Sequence, residues 1–330
     1  MKRLLIYEPS YRRVESRIAD IAGSLEVLLM DEGGAITLNG APVSPDDAQP
    51  DLGWASADVF FGPAGRHYMI ALLKSGQLTW VQSAAAGFDN PVFRQFVEKG
   101  VTLTTSHGQA VGMAEYVIAG VLDHFQRGPE RRAAQAEGEW RRLAFTEVMG
   151  TTWLIIGFGA IGQGVAQRAR AFGARTIGVR RDQTPHPLAD DLTTLDTFRA
   201  HLPLADVVVL SVPLSAATHH LVDAGFLGAM KPGSVLVNVG RGGLVDEPAL
   251  LAALDAGKPA HAVLDVFETE PLPAGSRFYN HPRVSMTPHH SGVSNGSAAR
   301  NDDLFVDNLH RIVSGQPLLN AATKADVLGG

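Results

Sequence analysis

Thr151-Thr152-Trp153-Leu154-Ile155-Ile156-Gly157-Phe158-Gly159-Ala160-Ile161-Gly162 is an apolar run that ends in G-x-G-x-x-G. The run reads as a buried strand, and the following GQGVAQRARAFG reads as a helix. The three glycines then have separate tasks. Gly157 permits a tight turn, Gly159 lets the backbone approach a pyrophosphate, and Gly162 lets the helix lie close to the strand. The helix start offers free N–H groups and its dipole to phosphate. The preceding strand and the following helix together raise a weak motif to a dinucleotide fingerprint, with Gly157, Phe158, Gly159, Ala160, Ile161 and Gly162 as the phosphate turn.

Working outward, the next strand, RTIGV, ends at the residue that reads the adenosine ribose. NAD enzymes usually carry Asp or Glu there. This chain has Arg180 and Arg181, with Asp182 further on. Arginine cannot accept a hydrogen bond from a 2′-hydroxyl, but it pairs well with a 2′-phosphate. The pair therefore predicts NADP(H) as the preferred cofactor, with NAD(H) as the second. The competing reading makes the arginines surface charges and gives Asp182 to NAD.

Strand-like and helical stretches alternate along the whole chain, which implies parallel pairing and an α/β layer fold. Before the glycine turn, strands are expected at 4–7, 25–29, 58–62, 78–83 and 101–104, with helices at 14–21, 66–74 and 89–99. Residues 31–56, rich in Gly, Pro and Asp, read as loop. A long buried helix is expected near 112–126, then an exposed helix and loop over 127–147. Later strands are expected at 152–156, 176–179, 206–212, 234–239, 260–267 and 283–286, and a last helix at 298–314. A cofactor turn that follows about 150 residues of another α/β unit implies two domains. The expected fold is two Rossmann-like or flavodoxin-like domains with parallel sheets, the cofactor domain (112–292) inserted in a substrate domain (1–111 with 293–330).

Composition narrows the class. The chain has 330 residues, 45% hydrophobic and 19% charged, ordinary for a globular protein. A net charge of -6 leaves no nucleic-acid footprint. There is no cysteine, which excludes disulfides, thiolate metal sites and a cysteine nucleophile, and fits a cytoplasmic protein. No apolar stretch is long enough for a membrane helix, and the start lacks a signal-peptide pattern.

Three late strands end in polar residues: Arg241 after the first, Asp265, Glu268 and Glu270 after the second, His289 after the third. Ligands of open parallel sheets bind outside the carboxyl ends of the strands. A cation, a carboxylate and an imidazole at that edge suit reduction of a 2-oxo acid. The cation holds the carboxylate and polarises the carbonyl. The imidazole supplies a proton, and the carboxylate orients the imidazole and favours its charged form.

In KPGSVLVNVGRGGLVDEPALLAAL, AVLDVFETEPLP and VSMTPHHSG the chain resembles the D-isomer-specific 2-hydroxyacid dehydrogenases, in their glyoxylate/hydroxypyruvate reductase-like branch. The resemblance implies Arg241, Glu270 and His289 as the catalytic set. It implies Asp265 as the residue that holds the nicotinamide carboxamide. Val212, Pro213, Thr218, Val239, Gly240 and Gly292 complete the cofactor contacts it implies. Ala85, Ala86 and Gly87, in WVQSAAAGFDN, are implied to bind the substrate carboxylate through backbone N–H groups, with Arg241 and His289 as further substrate contacts. The partner is then a small 2-oxo or 2-hydroxy acid, with no nucleic acid, membrane or metal. The resemblance also implies a homodimer, its contact on 112–126 and 127–147.

The chain departs from the family after the TPH histidine, where His290 and Ser291 stand in place of apolar or small residues. His289 and His290 are adjacent and offer no third ligand, so a metal site is not expected. Other readings on this scaffold are an NAD(H)-sensing corepressor-like protein and a formate- or phosphite-type dehydrogenase. A short-chain dehydrogenase is disfavoured because no tyrosine has a lysine four residues later.

Overall fold

The computed structural model describes residues 1–88 and 90–328. Among them the chain forms two compact units, Met1–Gln109 with Asn295 onward, and Ala110–Ser294. Residue 89, where the helix of 89–99 is expected to begin, lies outside the described residues; the helix itself runs Pro91–Glu98.

The first unit holds the strands β1 (Lys2–Tyr7), β2 (Leu25–Met30), β3 (Ile36–Leu38), β4 (Ala41–Val43), β5 (Leu52–Ala55), β6 (Trp80–Ser83) and β7 (Thr102–Thr104). They lie in the order β4-β3-β2-β1-β5-β6-β7. The parallel part, β2-β1-β5-β6-β7, has flavodoxin-like order. Alternate residues of its strands face two cores. Leu5, Leu28, Val81 and Leu103 lie on one side, Leu4, Ile6, Trp54 and Trp80 on the other. The helix Ser297–Val313 brings Phe305 onto the second side, stacked on Trp54 at 4.0 Å between ring centroids. Its buried Asn308 donates to Gln82 Oε1 (2.8 Å) and accepts from Leu319 N–H (2.8 Å), so a polar residue in an apolar stripe is satisfied.

Several expectations in this unit are corrected. Residues 31–56 are not loop. β3 and β4 form an antiparallel hairpin whose turn, Asn39-Gly40, takes positive φ at both positions, the conformation that Asn-Gly favours. β5 is a short, fully buried strand. The strand expected at 58–62 is the helix Ala57–Phe61, started by Ser56, whose Oγ accepts from Val59 N–H. The helix expected at 14–21 runs instead Glu8–Val14, with Pro9 in its first turn, where a missing N–H costs nothing.

The second unit holds β8 (Thr152–Ile156), β9 (Arg175–Val179), β10 (Asp191–Thr193), β11 (Val207–Leu210), β12 (Val235–Asn238), β13 (His261–Leu264) and β14 (Val284–Met286). Their order is β10-β9-β8-β11-β12-β13-β14, and the pairings are parallel throughout. A parallel sheet covered on both faces needs strands apolar on both sides. VVVL of β11 is fully buried, with Val208 and Leu210 in one core and Val207 and Val209 in the other. Two helices cover the second core: Ala110–Phe125 with Met113, Val117 and Val121, and Ala160–Ala171 with Val165, Ala166 and Ala169. β10 escaped the sequence reading because it has only three residues. β11, β12 and β13 end one to three residues earlier than expected, so Val212, Val239 and Asp265 stand in the loops beyond them. No described helix is long and apolar enough to cross a membrane.

Candidate active site

The strand order reverses between β8 and β11, the switch point at which open α/β sheets bind ligands. β8, β11, β12, β13 and β14 are adjacent and parallel, so their carboxyl ends form one row. The glycine turn stands after β8, Val212 and Pro213 after β11, Arg241 after β12, Asp265 and Glu270 after β13, and His289 after β14.

Two of the three turn glycines are required by the protein itself. Gly157 has φ +98°, and a Cβ there would sit 2.5 Å from the backbone of Ser211 and Val212. A Cβ on Gly162 would sit 2.2 Å from Gly157 O. Gly159 differs. It has φ -85°, and a Cβ there meets no protein atom within 4 Å. It begins the helix Ala160–Ala171 with no side-chain cap, so the first N–H groups of that helix have no capping partner from it. Nothing in the fold forbids a side chain at this position, whereas a phosphate brought to those N–H groups does. The Gly157 and Phe158 N–H groups both donate to Val179 O, which ties the turn to the end of β9. Phe158 is buried; Ala160 and Ile161 open the helix.

At the end of β9 the two arginines behave differently. Arg180 folds back on its own loop, pairing with Asp182 Oδ2 (3.0 Å) and donating to Thr184 O (2.8 Å). Asp182 also accepts from Thr184 N–H (2.9 Å) and Oγ1 (2.7 Å), contacts that hold its carboxyl below the usual range, with Arg180 adding to them. Arg181 is exposed and has no ion-pair partner among the described residues.

The loop after β11 is held by Thr218. Its buried hydroxyl donates to Pro213 O (2.8 Å) and accepts from Ser215 N–H (2.8 Å), so this side chain shapes the loop, in which Val212 is half-buried against the core and Pro213 is exposed. After β12, buried Asn238 does similar work. Its Oδ1 accepts from Gly240 N–H (3.0 Å) and its Nδ2 donates to Arg241 O (2.9 Å). Val239 and Gly240 are buried in this turn, and Arg241 leaves it half-buried, one Nη donating to Gly240 O (2.7 Å). Asn238 is the first residue of the N-x-G-R-G segment, and its role went unread beside the arginine.

His289 Nδ1 lies 2.7 Å from Glu270 Oε2. Glu270 Oε1 accepts from Phe267 N–H (3.0 Å), which fixes the carboxylate. Glu268 is turned to other partners, His220 (2.5 Å) and, through its N–H, Glu247 (2.8 Å). Nε2 of His289 has no hydrogen bond among the described residues, and the side chain is half exposed. The buried Asp265 holds the backbone beneath it. Its Oδ1 accepts from Thr287 Oγ1 (2.7 Å), His290 N–H (2.9 Å) and Ser291 N–H (3.1 Å), and its carbonyl accepts from His289 N–H (2.7 Å). Among the described residues Asp265 Oδ2 accepts from Ser291 N–H alone (3.1 Å) and keeps capacity for a further donor. Ser291 Oγ is buried with no partner, and Gly292 is half-buried beside it. A spare acceptor and an orphaned hydroxyl match the two functions of a carboxamide. No cluster of His, Asp or Glu suited to a metal occurs among the described residues.

In the first unit, the loop after β6 carries Ala85, Ala86 and Gly87, all half-buried. Ala85 N–H donates to Ser83 Oγ (3.0 Å), while those of Ala86 and Gly87 have no acceptor among the described residues.

Residues 118–291 match the model of the D-isomer specific 2-hydroxyacid dehydrogenase NAD-binding domain. This chain belongs to the D-isomer specific 2-hydroxyacid dehydrogenase family. Membership makes it an NAD(P)-dependent oxidoreductase that acts on a CH–OH group. Within the family it is similar to a (S)-sulfolactate dehydrogenase of Chromohalobacter salexigens, at 39% identity over 63% of this chain and 69% of that protein. The fold is that of a D-isomer specific 2-hydroxyacid dehydrogenase family protein from Aeromonas salmonicida, with TM-score 0.77 and 30% identity over 98% of this chain and 99% of that one. A family structure from Xanthobacter autotrophicus, described as a complex with NADPH and MES, has TM-score 0.76 and 26% identity over 98% of both chains. The chain spans half the length or less of the D-3-phosphoglycerate dehydrogenases it matches, between 37% and 49%.

Proposed function

We propose that this dehydrogenase reduces a small 2-oxo acid of the glyoxylate or hydroxypyruvate kind to the D-2-hydroxy acid, with NADP(H) preferred and NAD(H) as second cofactor. The observation that carries the reading is the His289–Glu270 contact of 2.7 Å through Nδ1, which leaves Nε2 for the substrate. The bound nicotinamide supplies the hydride that reduces C2. His289 Nε2 donates the proton to the oxygen that becomes the hydroxyl, and Glu270 keeps the ring oriented and its charge compensated. The Arg241 guanidinium holds the carboxylate and polarises the carbonyl. Asp265 Oδ2 accepts from the carboxamide, and the Ala160–Ala171 helix start takes the pyrophosphate. In the first unit, taken by itself, the Ala86 and Gly87 N–H groups have no acceptor among the described residues and suit an anion such as a carboxylate.

The engaged state of Asp182 and the exposed Arg181 support NADP(H), since the carboxylate is already supplied with donors and the arginine is not paired. The NADPH complex of the Xanthobacter relative supports the same choice. A glyoxylate reductase of Thermococcus gammatolerans, 32% identical over 75% of its length, supports the substrate class. A homodimer is supported by Trp140, Phe145 and Met149, which are 94%, 50% and 72% exposed.

The test is oxidation of NADPH and NADH with a panel of glyoxylate, hydroxypyruvate, pyruvate and larger 2-oxo acids. Turnover of the small acids with higher kcat/KM for NADPH is expected. Cofactor binding with no turnover across the panel would favour a sensor instead.

A further inference from the structure

Tyr116, on the helix Ala110–Phe125, has no part in the reaction as described. Its hydroxyl lies 2.7 Å from Thr287 Oγ1, which lies 2.7 Å from Asp265 Oδ1. A threonine hydroxyl has one proton. Thr287 Oγ1 is the donor toward both oxygens, so its one proton is shared between the Tyr116 phenol and the Asp265 carboxylate, while the phenol's own proton is directed at Leu264 O (3.5 Å). Burial pushes the Tyr116 hydroxyl up to about 12, so it stays protonated across the whole working range.

Asp265 in turn grips the segment that carries His289. Its side chain takes the His290 and Ser291 N–H groups, and its carbonyl takes that of His289. His289 has φ +50°, in the left-handed region, which persists in a side-chain-bearing residue only where the surroundings over-determine it. The Asp265 grip is that surrounding. In this conformation the His289 ring lies with Nδ1 2.7 Å from Glu270 Oε2.

We propose that Tyr116 is a positioning residue for His289. Its phenol fixes Thr287, Thr287 fixes the Asp265 carboxylate, and Asp265 holds the 289–291 backbone in the one conformation that brings His289 Nδ1 to Glu270. The inference rests on reading His289 as the proton donor.

Tyr116→Phe removes one O–H and keeps the ring. Loss of one neutral hydrogen bond in such a chain lowers kcat for 2-oxo acid reduction about five-fold. KM for the acid stays within about two-fold of the parent, because the relay acts through the proton donor and not through the groups that hold the acid. Thr287→Val breaks the chain at its middle and costs more than Tyr116→Phe, while Thr287→Ser restores most of what Thr287→Val loses. Parent-like kcat in Tyr116→Phe would overturn the inference. So would equal losses in the Ser and Val variants, or a Tyr116→Phe enzyme whose KM for the acid rises along with the loss of kcat, which marks a brace for the fold. His289→Ala, measured alongside, separates the two levels. If it abolishes turnover while Tyr116→Phe is silent, only the relay fails. If it retains kcat, the reading of His289 fails.

Discussion

Glu270 and His289 meet through one oxygen and one nitrogen, Oε2 and Nδ1, at 2.7 Å, while the other carboxylate oxygen is anchored on the Phe267 N–H. The carboxylate is therefore fixed before it fixes the ring. Glu270→Gln keeps the shape and removes the charge. It should lower kcat for reduction by roughly ten- to hundred-fold, as loss of a general acid's partner does, with NADPH affinity unchanged by fluorescence titration.

Gly159 and Gly162 make opposite predictions although both belong to one motif. A Cβ at 162 would strike Gly157 O at 2.2 Å, whereas a Cβ at 159 meets no protein atom within 4 Å. Gly162→Ala should destabilise the free protein by about 1–3 kcal/mol, the usual cost of forced overpacking. Gly159→Ala should leave the melting temperature of the free protein unchanged and weaken NADPH binding. Thermal unfolding with and without NADPH separates the two effects.

Arg181 rather than Arg180 should set cofactor choice, because Arg180 already serves Asp182 and Thr184. Arg181→Ala should lower kcat/KM with NADPH about ten-fold, the worth of one charge-assisted contact of roughly 1.4 kcal/mol. The value with NADH should hardly change. Kinetics with both cofactors provide the check, and equal losses with the two would contradict it.

His261 opens β13, stacks on His124 at 4.4 Å between ring centroids, and shares a hydrogen bond with Ser285 (2.9 Å). Burial lowers its pKa to about 4, with the neighbouring His124 adding to the effect. The folded form thus keeps His261 neutral while the unfolded chain binds a proton near pH 6.5. Between those values the unfolded state holds more protons, so stability falls as pH falls through the window from about 6.5 to about 4. The full loss is about 3 kcal/mol. Melting temperatures at pH 7.5 and pH 5 should show the decline, and His261→Gln should flatten it.

The second unit was more legible in the sequence than the first, for a physical reason. A parallel sheet covered on both faces writes its strands as unbroken apolar runs, such as VVVL at 207–210 and VLVN at 235–238. The short edge strands of the first unit leave no such record. The β3–β4 hairpin was announced by Asn39-Gly40, but its flanks are only three residues each and the Gly- and Pro-rich surroundings masked it. The site followed the same division. Gly157 and Gly162 could be read because turn geometry restricts those positions to glycine, and the TPH and N-x-G-R-G segments pointed to His289 and Arg241. Thr287 and Tyr116 could not be read, since their work depends on hydrogen bonds between a strand end and a helix far apart in the chain, whereas Asn238 bonds only to Gly240 and Arg241 in its own turn. The division of labour between Arg180 and Arg181, and between Glu268 and Glu270, likewise appears only once side chains have partners.

Proton donation by His289 is tested most directly by steady-state reduction of glyoxylate and hydroxypyruvate by NADPH with His289→Ala, beside a titration of NADPH binding to the same variant. The expected result is a fall in kcat of about 10²–10⁴ with NADPH Kd close to that of the parent enzyme. A variant that kept kcat within a few-fold of the parent would contradict it.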